Sequence, residues 1–288
     1  MEKQPNWLNK DLYPFKSNCH QLTMGKMHYL DEGEGNPILF LHGTPTWSFL
    51  YRKLIKELST TNRCIAPDHI GFGLSDKPET WEYNIRDHTK NLDSLLEKLN
   101  LDNITLVIHD FGGPIGFPWA LENVDKISKI ILFNTWMWSQ EEEAIFKKNK
   151  KILQSKFFHW IYKKFNFSAR FLIKEAAGND DFLTPEIKKH YIKPFDATSE
   201  RMGTIGFLDS LLYENEYFDN VFSKMDVLRE TPTLILWGMK DKYISKNYLA
   251  RWKNFFTNRS ILKFEASGHW VMEEEPERTM REIKEFLK

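Results

Sequence analysis

The chain has 288 residues, 41% of them hydrophobic and 28% charged, which is enough for one large core or for a core that carries an insertion. Forty Lys and Arg balance forty Asp and Glu, so the whole chain offers no net field to gather nucleic acid or anionic lipid. Cys19 and Cys64 stand far apart in no metal-ligand spacing and are expected to stay reduced, Met1–Asn6 has no apolar run suited to a signal peptide, and no stretch approaches the roughly 18 apolar residues of a membrane helix. The expectation is a soluble cytoplasmic enzyme with neither nucleic acid nor membrane as partner.

Short apolar runs alternate with amphipathic segments, the pattern of a largely parallel sheet covered by helices. Ile38-Leu39-Phe40-Leu41 reads as a strand that ends in His42-Gly43. Arg63 to Ala66 is the next, followed by a turn around Gly71 and Gly73, and Ile104 to His109 is a third, ending at Asp110 and Gly112-Gly113. Ile130 to Phe133 is a fourth. The alternation then stops for about eighty residues and resumes at Thr233 to Trp237, with a last strand at Ile261 to Phe264 and a terminal helix over Pro276 to Leu287. The interrupted stretch, 137–219, is aromatic-rich and reads as a helical cap inserted between adjacent strands of a core formed by 1–136 and 220–288. Glu141-Glu142-Glu143 suits the solvated first turn of a cap helix.

Val107-Ile108-His109-Asp110-Phe111-Gly112-Gly113 turns a β-rich run abruptly into a Gly-containing helix with one reactive side chain at the corner. That is the nucleophile elbow, with a carboxylate in place of Ser and Ile108 where the stricter pattern has Gly. Capping the helix is the other role open to an Asp at this corner, but its companions argue for the nucleophile. Gly238-Met239-Lys240-Asp241 places an acid just past one strand, and Ser267-Gly268-His269 places an imidazole just past the last. Nucleophile, acid, histidine is the chain order of this arrangement, on loops at the carboxyl ends of strands. The catalytic set is therefore expected to be Asp110, Asp241 and His269. Backbone N–H groups of Thr44 and Phe111 are expected to form an oxyanion hole. His42, His109 and Asp68 are expected to be structural hydrogen-bonding residues.

These motifs resemble the haloalkane dehalogenases and the epoxide-hydrolase side of the α/β-hydrolase superfamily. The resemblance runs through His42-Gly43-Thr44-Pro45-Thr46-Trp47, the elbow, Phe133-Asn134-Thr135-Trp136, Tyr191-Ile192-Lys193-Pro194-Phe195, Gly238 to Lys242 and Gly268-His269. It implies an α/β-hydrolase fold with an eight-stranded, mostly parallel sheet and a helical cap, no metal, no cofactor, and a small apolar organic substrate with water as co-substrate. Two positions depart from the pattern: the residue after the nucleophile, usually a halide-binding Trp, is Phe111, and the residue after His-Gly, often Asn or Glu, is Thr44. The Phe side chain has no N–H to donate. Donors to a leaving halide are then expected from the Thr44 hydroxyl and from one of the tryptophans Trp47, Trp138 and Trp160. A carboxylate is anionic at neutral pH and attacks an sp³ carbon directly, giving an ester that His269-activated water hydrolyses. Alternatives on the same scaffold are an epoxide hydrolase using a cap tyrosine (Tyr162, Tyr191, Tyr213 or Tyr217), a β-lactone decarboxylase, a cofactor-free oxidase, or a silent binding protein. Oligomeric state is not legible in the sequence.

Overall fold

The apolar runs of the sequence form the middle of a single sheet in the computed structural model, which describes residues 5–288. The N-terminal reading of Met1–Asn6 therefore falls mostly outside the described residues. The strands are β1 (Asn18–Leu22), β2 (Gly25–Glu32), β3 (Pro37–Leu41), β4 (Arg63–Pro67), β5 (Ile104–Asp110), β6 (Ile127–Thr135), β7 (Thr233–Gly238) and β8 (Arg259–Phe264). Their order is β1-β2-β4-β3-β5-β6-β7-β8. The β1–β2 and β2–β4 pairs are antiparallel and the remaining pairs parallel. β3, β5 and β7 are buried at every position, as strands covered on both faces must be.

Because successive side chains leave a strand on opposite faces, each central strand feeds two cores. Leu39, Leu106, Ile108, Leu132 and Ile235 pack with α2 (Ile85–Leu99), α3 (Gly112–Glu122) and α10 (Lys246–Phe255). Ile38, Phe40, Val107, Ile131 and Leu234 pack with α1 (Arg52–Leu58) and α12 (Pro276–Leu287). α2 is bounded locally: the Asn84 side chain accepts from Asp87 N–H at its start, and Asn100 closes it in the left-handed conformation at φ 46°. α3 is buried along almost its whole length, as befits a helix set between the sheet and α9 (Asn215–Ser223).

Between β6 and β7 lie α4 (Ala144–Leu153), α5 (Lys156–Lys164), a π-helical turn (Ser168–Leu172), α6 (Ile173–Ala176), α7 (Pro185–Ile192), α8 (Met202–Tyr213) and α9. Glu141 and Glu142 sit just ahead of α4 and pair with Lys150 and Lys147. The expected junction at 219/220 falls inside α9, whose Phe218 and Val221 belong to the core beside α3. A buried ionic cluster fastens the insertion to the core. Glu273, in α11 (Val271–Glu274), takes both guanidinium nitrogens of Arg52, the hydroxyl of Tyr191 at 2.7 Å and Lys53 at 3.1 Å. Cys19 is exposed and Cys64 is buried. Among the described residues no helix is long and apolar enough to cross a membrane.

Candidate active site

β5 ends on Asp110, which turns the chain at φ +52° so that α3 starts immediately behind it. A side chain in this left-handed conformation is held against its intrinsic preference by the surrounding packing. Gly112 makes the turn affordable, since a Cβ there would collide with the carbonyl oxygen of Leu41. Gly43 has the same role from β3: a Cβ would occupy the space of Asp110 Oδ1. The closeness of Gly43 lets Thr44 N–H donate to Asp110 Oδ1 at 2.8 Å. Thr135, the register partner of Asp110 on β6, donates its hydroxyl to the Asp110 carbonyl at 2.6 Å.

His269 arrives on the loop after β8. Its Nε2 lies 3.6 Å from Asp110 Oδ2, and its Nδ1 lies 2.6 Å from Asp241 Oδ2. Asp241 is itself fixed from several sides: Oδ1 accepts from Tyr243 and Ile244 N–H, and Oδ2 from the amide of Asn134. The same Asn134 also binds both backbone polar groups of Gly238, so β6 supports the acid on the loop after β7. The loop bearing His269 is tied to the insertion. His269 N–H donates to Ala176 O at 2.9 Å, Trp270 Nε1–H to Ile173 O at 2.7 Å, and Gly178 and Asn179 N–H to Glu274. Burial opposes a charge on His269, but Asp241 and Asp110 outweigh it and raise the imidazole to about 10. Its neighbour His109, with no such carboxylates, is driven by burial well below the ordinary histidine range and stays neutral.

The histidines and the acid expected to be structural are held by hydrogen bonds, although His109 Nδ1 is buried without a partner among the described residues. His42 uses Nδ1 on Gly43 O and accepts His69 N–H at Nε2, and His109 Nε2–H donates to the carbonyl of His269. Asp68 accepts from Ser48 and Leu74 N–H and pairs with His28 at 2.9 Å.

Over Asp110 and His269 lies a cavity of about 370 Å³. Its floor includes Thr44, Phe111 and Trp136, and its walls and roof include Ile145, Leu153, Phe158, Tyr162, Phe167, Leu172, Leu208 and Leu211 from the insertion. Gln140, Tyr243 and Tyr248 add polar atoms, and the Tyr248 hydroxyl donates to Gln140 Oε1.

Thr44 and Phe111 line the cavity, whereas the three candidate tryptophans lie elsewhere. Trp47 is fully buried and donates its indole N–H to His190 O at 2.9 Å. Trp138 is packed among Phe222, Tyr248 and Trp252, behind the cavity wall. Trp160 lies on the outer surface, 54% exposed. Of the four cap tyrosines Tyr162 alone lines the cavity; Tyr191 is engaged with Glu273, Tyr213 faces solvent, and Tyr217 stacks under Arg86. Two tryptophans line the cavity: Trp270, whose indole N–H is engaged by Ile173 O, and Trp136, which stands edge-on to Phe111 at 4.9 Å between ring centres. The Trp136 indole N–H and the hydroxyl of Thr44 are buried without a hydrogen-bond partner among the described residues. A signal for it existed, because Trp136 follows the strand paired with the elbow strand and closes the Phe133-Asn134-Thr135-Trp136 motif. Among the described residues no cluster of His, Cys, Asp and Glu is arranged to hold a metal ion.

A family model described as the alpha/beta hydrolase fold matches residues 36–276. The chain belongs to the alpha/beta hydrolase family. Within the family it is similar to haloalkane dehalogenase 2 of Mycobacterium tuberculosis, at 32% identity over 95% of this chain and 96% of that one. It is similar also to the cis-3-alkyl-4-alkyloxetan-2-one decarboxylase of Shewanella oneidensis, at 30% identity over 96% of this chain and 89% of the relative. Among solved structures the haloalkane dehalogenase DatA of Agrobacterium tumefaciens superposes with a TM-score of 0.83 at 25% identity, covering 94% of this chain and 96% of that one. The chain is thus an enzyme of the haloalkane-dehalogenase-like hydrolases in this family.

Proposed function

We propose that this hydrolase cleaves a carbon–halogen bond of a small apolar substrate with Asp110 as nucleophile, Asp241 and His269 as its acid–base pair, and the helical segment after Met137 as the cap over the site. The observation that carries the reading is a single line of groups beneath an apolar cavity: Asp110 Oδ2, then His269 Nε2 at 3.6 Å, then Asp241 at 2.6 Å from Nδ1.

The two oxygens of Asp110 have different surroundings. Oδ1 already accepts the Thr44 N–H, which leaves Oδ2 to attack the substrate carbon. Oδ1 then becomes the ester carbonyl oxygen, and on water attack the oxyanion, held by the N–H groups of Thr44 and Phe111. Water enters between the ester and His269 and loses its proton to Nε2. Esterification supplies the base at the right moment: it cancels the charge on Asp110, one of the two carboxylates that keep His269 protonated. The unpartnered Trp136 N–H and Thr44 hydroxyl are the donors we assign to the departing anion.

A second reading, decarboxylative opening of a β-lactone ring, is favoured by the 30% identity to the oxetanone decarboxylase. An epoxide hydrolase would rely on Tyr162, Tyr243 or Tyr248, the tyrosines at the cavity. The test is intact-mass analysis of His269→Ala protein after exposure to bromoalkanes, epoxides and cis-dialkyl β-lactones. An alkyl adduct that accumulates on Asp110 with bromoalkanes and fails to turn over is the expected result. Adducts with epoxides alone, or loss of carbon dioxide from the lactone without a stable bromoalkane adduct, would select a rival. No adduct from any class would remove Asp110 as nucleophile.

A further inference from the structure

The neutral whole-chain charge conceals a strong local asymmetry. Residues 144–174 contain nine Lys and Arg and no Asp or Glu, leaving 31 basic against 40 acidic residues elsewhere. Lys147, Lys150 and Lys174 have carboxylate partners from outside that stretch. Lys148, Lys151, Lys156, Lys163, Lys164 and Arg170 form no ion pair among the described residues, and all but the half-buried Lys163 are exposed. The same stretch holds Ile152, Phe157, Trp160, Phe165 and Phe171, which are five of the seven large hydrophobic side chains exposed by half or more among the described residues.

These rings form a patch. Phe157 stacks on Trp160 at 6.0 Å, and Trp160 meets Phe165 edge-on at 5.8 Å. α5 has a separate inner apolar face, where Phe158 and Tyr162 line the cavity, so the outer rings are not needed to seat the helix. Such a helix, apolar on two faces and basic between them, exposes aromatic surface to water that none of the described residues covers. Ile152 is both 57% exposed and part of the cavity lining, so the cavity reaches the edge of this patch.

We propose that the outer face of α4, α5 and the π-helical turn docks on an anionic lipid bilayer, with the cavity edge at Ile152 turned toward the hydrocarbon so that apolar substrate enters from the membrane. Lysines set around Trp and Phe are the composition of helices that lie in the headgroup plane. Charge selects lipid over a second copy of this chain. In a two-fold contact the patch would meet itself, and two faces of net positive charge repel. The contact is peripheral and involves no spanning helix, and it stands independently of the bond that Asp110 attacks.

The test is co-sedimentation of the full chain with vesicles of equal parts phosphatidylcholine and phosphatidylglycerol, against vesicles of phosphatidylcholine alone. Binding to the anionic vesicles is expected at low salt, with loss at salt concentrations that shorten the screening length to about 3 Å. Lys148→Ala, Lys151→Ala and Lys156→Ala together should weaken binding by about a hundredfold, at roughly fivefold for each lysine. Phe157→Ser with Trp160→Ser should weaken it by roughly tenfold or more. Because these side chains are exposed, both variants should keep the wild-type melting temperature, which confirms that a loss of binding is local. Absence of binding to anionic vesicles, equal binding to the neutral ones, or unchanged binding by variants that remain folded would overturn the proposal. So would sedimentation analysis showing a dimer that the same substitutions dissociate.

Discussion

Replacing Asp110 by Asn tests the electrostatic coupling at the centre of the proposed mechanism, apart from its effect on turnover. The amide keeps the shape of the side chain and still accepts the Thr44 N–H, but it removes a negative charge 3.6 Å from His269 Nε2. At an effective dielectric of about 20, that charge interacts with an imidazolium by about 4–5 kcal/mol, equivalent to about three pH units in the imidazole midpoint. His269, held at about 10 in the wild type, should therefore titrate close to neutrality in Asp110→Asn. The measurement is a side-chain nitrogen NMR titration across the neutral and alkaline range, with intact mass confirming that the amide has not deamidated. The sign carries over to stability. A histidine whose folded midpoint lies above the unfolded value of about 6.5 contributes fully below that pH and loses its contribution as pH rises through about 10. Wild-type protein should lose stability over this interval, and Asp110→Asn should lose much less. A His269 midpoint that stays put in a variant shown to carry the amide would mean that Asp110 does not hold the proton, and the proposed release of the base on esterification would fail.

Trp136→Phe should lower turnover of bromoalkanes by about tenfold to a hundredfold, the value of a charge-assisted hydrogen bond to the leaving anion, and Phe111→Trp in that background should recover part of it; steady-state halide release measures both. Gly43→Ala should cut activity sharply because the new methyl takes the space of Asp110 Oδ1, and near-normal turnover would show that the floor yields more than its packing implies. Glu273→Gln leaves Arg52 as a buried cation without its counter-charge, so denaturant unfolding should show a loss of about 3–5 kcal/mol.

The central strands were legible because strands buried on both faces must be continuous apolar runs, and Ile38–Leu41 and Ile104–His109 could hardly be anything else. β1 and β2 were not located. Asn18–Leu22 and Gly25–Glu32 lie toward the antiparallel edge of the sheet, where polar side chains such as His20 and Lys26 are tolerated and the apolar signal thins. Asp110, Asp241 and His269 could be picked out because each sits a residue or a few beyond a recognisable strand, and strand ends have fixed places in such a sheet. The tryptophans could not be sorted in the same way. Trp47, Trp138 and Trp160 occupy irregular or amphipathic segments where a shift of one residue exchanges cavity for core or solvent, and aromatic content alone does not record which way an indole faces. Trp136 escaped notice although it follows the residue paired with Asp110 across the sheet.

The fastening of the His269 loop to Ile173, Ala176, Gly178 and Asn179 bears on how this protein can be recombined. A chimera that exchanges the entire helical insertion with that of a relative replaces the supports of the histidine together with the walls of the cavity, and risks a fresh binding chamber above a wandering imidazole. Splice points after Trp136 and at the end of the π-helical turn, Leu172, would graft Ile145, Leu153, Phe158, Tyr162 and Phe167 as one cassette while the native 173–179 segment still grips the loop. The boundary that matters for transplanting specificity is then set by which backbone holds the histidine, well inside the insertion and away from the ends of the sheet strands that flank it.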